Sequence, residues 1–165
     1  MLSKTDINTW VGFCAQRRFW SNDNSNKVIK DFNDLNLNTL KSIPETWNSY
    51  DVVLGNEVNV TNMRFIKILK HGKTALIKNP FFLFKKNRNI KFQFDMFHGY
   101  GLLDKAINLL PDVDKKDFKH FVESKNSYNQ GNMFICKSKE IINDYYKSIF
   151  SWLEKCEGVF GFNLN

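Results

Sequence analysis

The chain has little cysteine, little proline and almost no arginine. Its three cysteines, Cys14, Cys136 and Cys156, are odd in number and far apart, and no Cys-x-x-Cys pair occurs. His71, His98 and His120 supply no zinc-type spacing to accompany them. A disulfide framework and a structural zinc site are thereby disfavoured. All three thiols are expected to be reduced, with Cys14 and Cys136 acting as small apolar residues inside hydrophobic runs. No apolar run approaches the roughly 18 residues that a membrane-spanning helix needs. The first residues, Met1-Leu2-Ser3-Lys4-Thr5-Asp6, lack the charged-then-apolar pattern of a signal peptide. A soluble cytoplasmic protein is the expectation, with peripheral contact at the inner membrane face left open.

Hydrophobic residues make up 42% of the 165, and sixteen are phenylalanine, so one domain over 1–165 with one packed core is expected. The net charge of +7 fits a polyanionic partner or an anionic membrane surface. It also fits the lysine, asparagine and isoleucine bias of an AT-rich genome. The lysines are scattered apart from Lys85-Lys86 with Arg88 and Lys91. That cluster reads as a solvated loop, with a membrane-surface or acceptor contact as the alternative. Dispersed lysines and aromatics at core-type positions count against nucleic acid as a partner.

Short apolar stretches alternate with helical patterns, which argues for an α/β class. Strands are expected at Thr9–Cys14, Tyr50–Leu54, Thr74–Ile77, Ile90–Phe94 and Met133–Cys136. Helices are expected at Thr61–His71, stopped by Gly72, at Gly101–Leu110, closed by Pro111, and at Lys115–Glu123. Pro44-Glu45-Thr46-Trp47 suggests a short helical turn, and Asn33–Asn38 takes no assignment. Ile141, Ile142, Tyr145, Tyr146, Ile149, Phe150 and Leu153 recur at helical spacing, a stripe read as core packing.

Three groups of residues could carry chemistry. Arg17 and Arg18 follow the first strand, and guanidinium groups make bidentate phosphate contacts that lysine cannot copy. A solvated turn is the other reading of the pair. Gln93 and Asp95 alternate with Phe92 and Phe94, so on a strand both polar side chains face one way. His98 lies close by, ahead of Gly99-Tyr100-Gly101, whose glycines permit close backbone approach to a ligand. Asp95 with His98 forms a candidate acid/base or sugar-hydroxyl pair; a strand edge with a structural histidine is the bland alternative. In Ser127-Tyr128-Asn129-Gln130-Gly131-Asn132, Asn132 leans toward ligand binding and Asn129 toward turn chemistry. The lone Asp-x-Asp, Asp112-Val113-Asp114, reads as a turn and helix cap, so the residues support no metal site.

The run Thr9 to Trp20, the segment Phe94 to Ile107 and Asn132-Met133-Phe134-Ile135-Cys136 with the helix after it fall in one order along nearly the whole chain. That ordered set resembles bacterial glycosyltransferases of capsular and surface polysaccharides that carry a Tyr-Arg-Arg-Tyr-Phe-type signature. The resemblance implies a partial nucleotide-diphospho-sugar transferase-like (GT-A-like) domain with a mixed sheet flanked by helices. It implies sugar transfer from a nucleotide-sugar donor to a growing glycan or lipid-linked acceptor. Asp95 and His98 would be catalytic, and Arg17, Arg18, Gln93, Gly99 and Asn132 would bind the donor; a divalent ion is left open. The family has His-Tyr ahead of its arginines, where this chain has Ala15-Gln16. Relatives also carry a nucleotide-binding half before the arginines and continue past the last helix. The resemblance therefore implies an incomplete domain that needs a partner chain, or a non-catalytic fragment of such an enzyme.

Overall fold

The computed structural model describes residues 10–14, 18–21 and 28–161. The elements run β1 (Val11–Gly12), α1 (Phe32–Asn38), β2 (Val52–Leu54), β3 (Glu57–Asn59), α2 (Phe65–His71), α3 (Lys73–Lys78), α4 (Ile90–His98), α5 (Leu102–Ile107), α6 (Asp112–Ser124), β4 (Ser127–Asn129), β5 (Phe134–Cys136) and α7 (Lys139–Phe160). Short 3-10 turns occupy Glu45–Trp47, Val60–Asn62, Pro80–Leu83 and Lys85–Asn87. The chain divides into two compact units, 1–56 with 129–145 and 57–128 with 146–165.

The first unit is built on a three-stranded sheet in the order β1-β5-β2. The central strand is the last of the three in sequence, and all its residues, Phe134, Ile135 and Cys136, are buried. An uninterrupted apolar triplet suits a strand covered on both faces. Val11 pairs with Cys136 and Gly12 with Ile135, while Val52, Val53 and Leu54 pair with Cys136, Ile135 and Phe134. Both pairings are antiparallel, so these three strands do not form the mixed sheet that the resemblance implies. Phe13 and Tyr145 flank Phe134, with ring centroids at 5.1 and 5.2 Å. The unassigned asparagine-rich stretch is α1, where the Asp31 carboxylate accepts the Asp34 amide at 2.8 Å as an N-cap.

Helices dominate the second unit, beside the β3–β4 ribbon. Ile68, Ala75, Phe92 and Met96 form one core, with Met63, Leu76 and Phe82 against it. Leu103, Ile107 and Val122 form another, covered by Ile90, Phe94, Leu110 and Phe118. Helix α4 serves both, and this explains why its sequence misleads. Ile90, Phe92 and Phe94 alternate like a strand because they supply two cores from two sides of a helix. The helical spacing emerges only when Phe92 is read with Met96 and the intervening Asp95, all buried. Asn89 caps the helix by accepting the Phe92 amide at 2.8 Å. Thr74–Ile77, also expected as a strand, lies inside α3, whose inward residue is Ala75.

Two further expectations need correction. Arg88 belongs to no solvated loop: it is 4% exposed. Its Nε donates to Phe82 O at 3.1 Å, Nη1 to Thr61 O and Met63 O at 3.0 and 3.2 Å, and Nη2 to Leu83 O at 2.8 Å. The stripe of α7 is not uniformly core either. Ile142 is fully buried, but Phe150 is 60% exposed and Leu153 is also exposed. In the second unit α7 is held from another side, where Trp152 Nε1 donates to Ala106 O at 2.7 Å and its ring meets Phe118.

Candidate functional site

Because β1 and β2 both run against β5, their carboxyl ends lie beside the start of β5. The Phe13 amide donates to Phe134 O at 2.9 Å and the Gly55 amide to Met133 O at 3.2 Å, which prolongs both pairings to that end. The segment leaving β1 and the segment entering β5 meet at this point. Arg18 Nη2 donates to Gln130 Oε1 at 2.9 Å, a bond between exposed side chains 112 positions apart in sequence. Arg17 lies outside the described residues.

Asn132 follows Gln130 by two positions and holds a left-handed backbone with φ of 58°, after Gly131 at 84°. Asparagine tolerates that region better than most residues. Its side-chain carbonyl accepts the Tyr145 hydroxyl. Asn129 Nδ2 donates to Gly55 O at 2.6 Å and so ties the end of β2 to the same segment. A cavity of about 340 Å³ opens beside these groups. Val52, Leu54, Met133 and Phe134 give it an apolar lining, while Asn132 and Tyr145 give it polar groups. That volume lies near the lower end of the roughly 300–1,000 Å³ typical of small-molecule sites.

The other predicted residues belong to the second unit. Asp95 is 7% exposed on α4. One of its oxygens accepts Lys91 Nζ at 2.8 Å and the other accepts the Gly101 amide at 3.1 Å. Lys91 Nζ also lies 2.8 Å from Asp104 and stands over the Tyr100 ring. Burial alone would pull the Lys91 ammonium down, but the hydrogen bonds it donates to Asp104 and Asp95 outweigh it and leave it above its ordinary 10.5. His98 is exposed, with its ring 4.6 Å from that of Phe94, and no hydrogen bond joins it to Asp95 among the described residues. The expected acid/base pair is therefore not assembled. Gln93 is half-buried, and on a helix it lies about 200° around the axis from Asp95, not beside it as on a strand. Gly99 has φ of 109° and breaks α4, a backbone role.

Thus Arg18 and Asn132 reach the same end of one sheet, whereas Asp95, Gln93, His98 and Gly99 build α4 and its terminus. Gln130 lies in the amide-rich segment, Tyr145 in the stripe of α7 and Lys91 in the basic cluster, but the sequence shows none of their partners. The i to i+4 spacing of Lys91 and Asp95 was a legible signal once that segment is taken as helix. Asp112 and Asp114 start α6, where Asp112 pairs with Lys115 at 2.8 Å and is held below the usual carboxylate range by that hydrogen bond. Among the described residues no three histidines, cysteines or carboxylates gather closely enough to hold a metal ion. None of their helices is long and apolar enough to cross a membrane. Compared with known proteins, this chain matches no family model, no curated protein and no solved structure.

Proposed function

We propose that this chain is a nucleotide-sugar-binding domain of glycosyltransferase type, acting in assembly of a capsular or surface glycan. The observation that carries the reading is the meeting of Arg18 with Gln130. It joins two motifs, the arginine pair and the amide-rich segment before β5, that the sequence singled out separately. Gln130 engages one guanidinium nitrogen and leaves the other donors of this exposed group to phosphate oxygens. The adjacent cavity, with Asn132 and Tyr145 among apolar walls, suits a single sugar or base ring.

One observation favours a second form of this reading, in which the chain binds the donor and a partner chain supplies the chemistry. Asp95 already has both oxygens engaged, by Lys91 and by the Gly101 amide, so it is not poised as a base. Titration calorimetry with uridine, guanosine, thymidine and cytidine sugar nucleotides tests both forms. One donor should bind, and Arg18→Ala should weaken it about tenfold or more while Arg18→Lys recovers only part. No binding by any donor, or unchanged affinity in Arg18→Ala, would overturn the proposal. Sugar transfer or donor hydrolysis by the isolated chain would overturn the second form alone.

A further inference from the structure

Between Glu57 and Asp95 the chain holds nine lysines and arginines and no acidic residue. That segment alone exceeds the net charge of the whole protein, so its positive charge is segregated. Arg88 and Lys91 are committed inward, and the other seven cations are exposed. None of those seven pairs with a carboxylate among the described residues.

The same elements turn large apolar side chains outward. Ile66 is 78% exposed, Ile77 81% and Phe81 64%, with Phe84 also exposed. Helices α2 and α3 and the turns at Pro80–Leu83 and Lys85–Asn87 pack on one another in succession. Ile68, Ala75 and Phe82 turn into one core from the first three of these elements, and Ile66, Ile77 and Phe81 stand on their outward flank. Apolar side chains interspersed with unpaired cations match the two layers of an anionic bilayer surface, acyl boundary and headgroup. Ile66 and Ile77, more exposed than either phenylalanine, favour the bilayer over nucleic acid, because isoleucine offers no ring on which a base can stack.

We propose that this flank docks on an anionic lipid surface, with Lys67, Lys70, Lys85 and Lys86 against headgroups and Ile66, Ile77 and Phe81 entering the interface. The inference does not rest on the transferase reading. Flotation with vesicles of phosphatidylcholine alone, and with about 30 mol % phosphatidylglycerol added, tests it. The protein should float with the anionic vesicles only, and high salt should release it. Changing the four lysines to glutamine should lower partitioning about tenfold or more, as should Ile66→Ser with Ile77→Ser and Phe81→Ser. Lys116→Gln with Lys119→Gln, on α6, should not. Hydrogen exchange of the unmodified protein should slow over residues 64–87 when anionic vesicles are added, a readout independent of how the variants fold. Equal flotation with neutral vesicles, no flotation, or protection confined elsewhere would overturn the proposal. So would binding of generic RNA that the four lysine substitutions abolish while vesicles fail to bind.

Discussion

Lys91 Nζ lies 2.8 Å from Asp95 and 2.8 Å from Asp104, so one ammonium closes the junction between α4 and α5. The chain reverses there through Gly99-Tyr100-Gly101, and the Gly101 amide donates to the other Asp95 oxygen. What looked like half of an acid/base pair is thus the anchor of a turn. Asp95→Asn should cost about 2 kcal/mol in urea unfolding at pH 7, the loss of a charge-assisted hydrogen bond. The raised folded-state pKa of Lys91 makes this contribution fully present below 10.5 and lost as pH rises through the folded value. The stability gap between the native protein and Asp95→Asn should therefore hold at pH 7 to 9 and narrow above about 10.5. A gap that does not change with pH would mean that Lys91 is not its source.

Arg88 joins four carbonyls from two stretches of chain, residues 61–63 and 82–83, without a carboxylate partner. Burial pulls its guanidinium below the usual arginine range, and the carbonyl dipoles take the place of its lost hydration. A lysine has three donors on one nitrogen and cannot reach four acceptors in this fan. Arg88→Lys should therefore cost about 3 kcal/mol in denaturant unfolding, close to the cost of Arg88→Met. A loss under about 0.5 kcal/mol, the usual range for a surface position, would show that the carbonyls find other donors.

These two residues also show where sequence reading succeeds and fails. β2, β5 and the stop at Gly72 are legible because each depends on local signals, an apolar triplet or a C-terminal glycine, whereas α6 reads only from Lys115 because Asp112-Val113-Asp114 looks like a cap and is in fact its first turn. The identity of α4 is not legible, because a helix packed against two cores loses the single apolar stripe that marks most helices. Arg88 read as solvated because nothing local announces that its acceptors lie six and twenty-seven residues away. In the candidate site, Arg18 and Asn132 belong to separate motifs. Their meeting at one sheet end depends on the β1–β5 pairing, a long-range fact with no local trace.

The turn between α4 and α5 uses two glycines that should differ in tolerance. Gly101 has φ of 79° and a Cβ added there would meet nothing within 4 Å, so Gly101→Ala should cost about 1 kcal/mol from backbone strain alone. Gly99 has φ of 109° and ψ of 136°, and its added Cβ would lie 3.1 Å from Leu102 Cδ1. Gly99→Ala should cost roughly 2 kcal/mol or more. Paired thermal unfolding of the two variants checks the order, and a reversed order would contradict the turn geometry.

Asn132 offers the sharpest division between turn chemistry and ligand binding, because its backbone and its amide can be varied apart. At φ of 58° glycine is relaxed and alanine is strained. Asn132→Gly should therefore stay within about 1 kcal/mol of the native protein, whereas Asn132→Ala should lose about that much or more. Both remove the amide that accepts the Tyr145 hydroxyl and faces the cavity with it. If that amide holds a sugar or base, both variants should bind the sugar nucleotide about tenfold more weakly, since a lost hydrogen bond to a ligand is worth near 1.4 kcal/mol. Calorimetric titration and thermal unfolding on the same samples separate the two effects. Native affinity in Asn132→Gly would make Asn132 a turn residue and leave donor recognition to Arg18, Gln130 and the apolar walls.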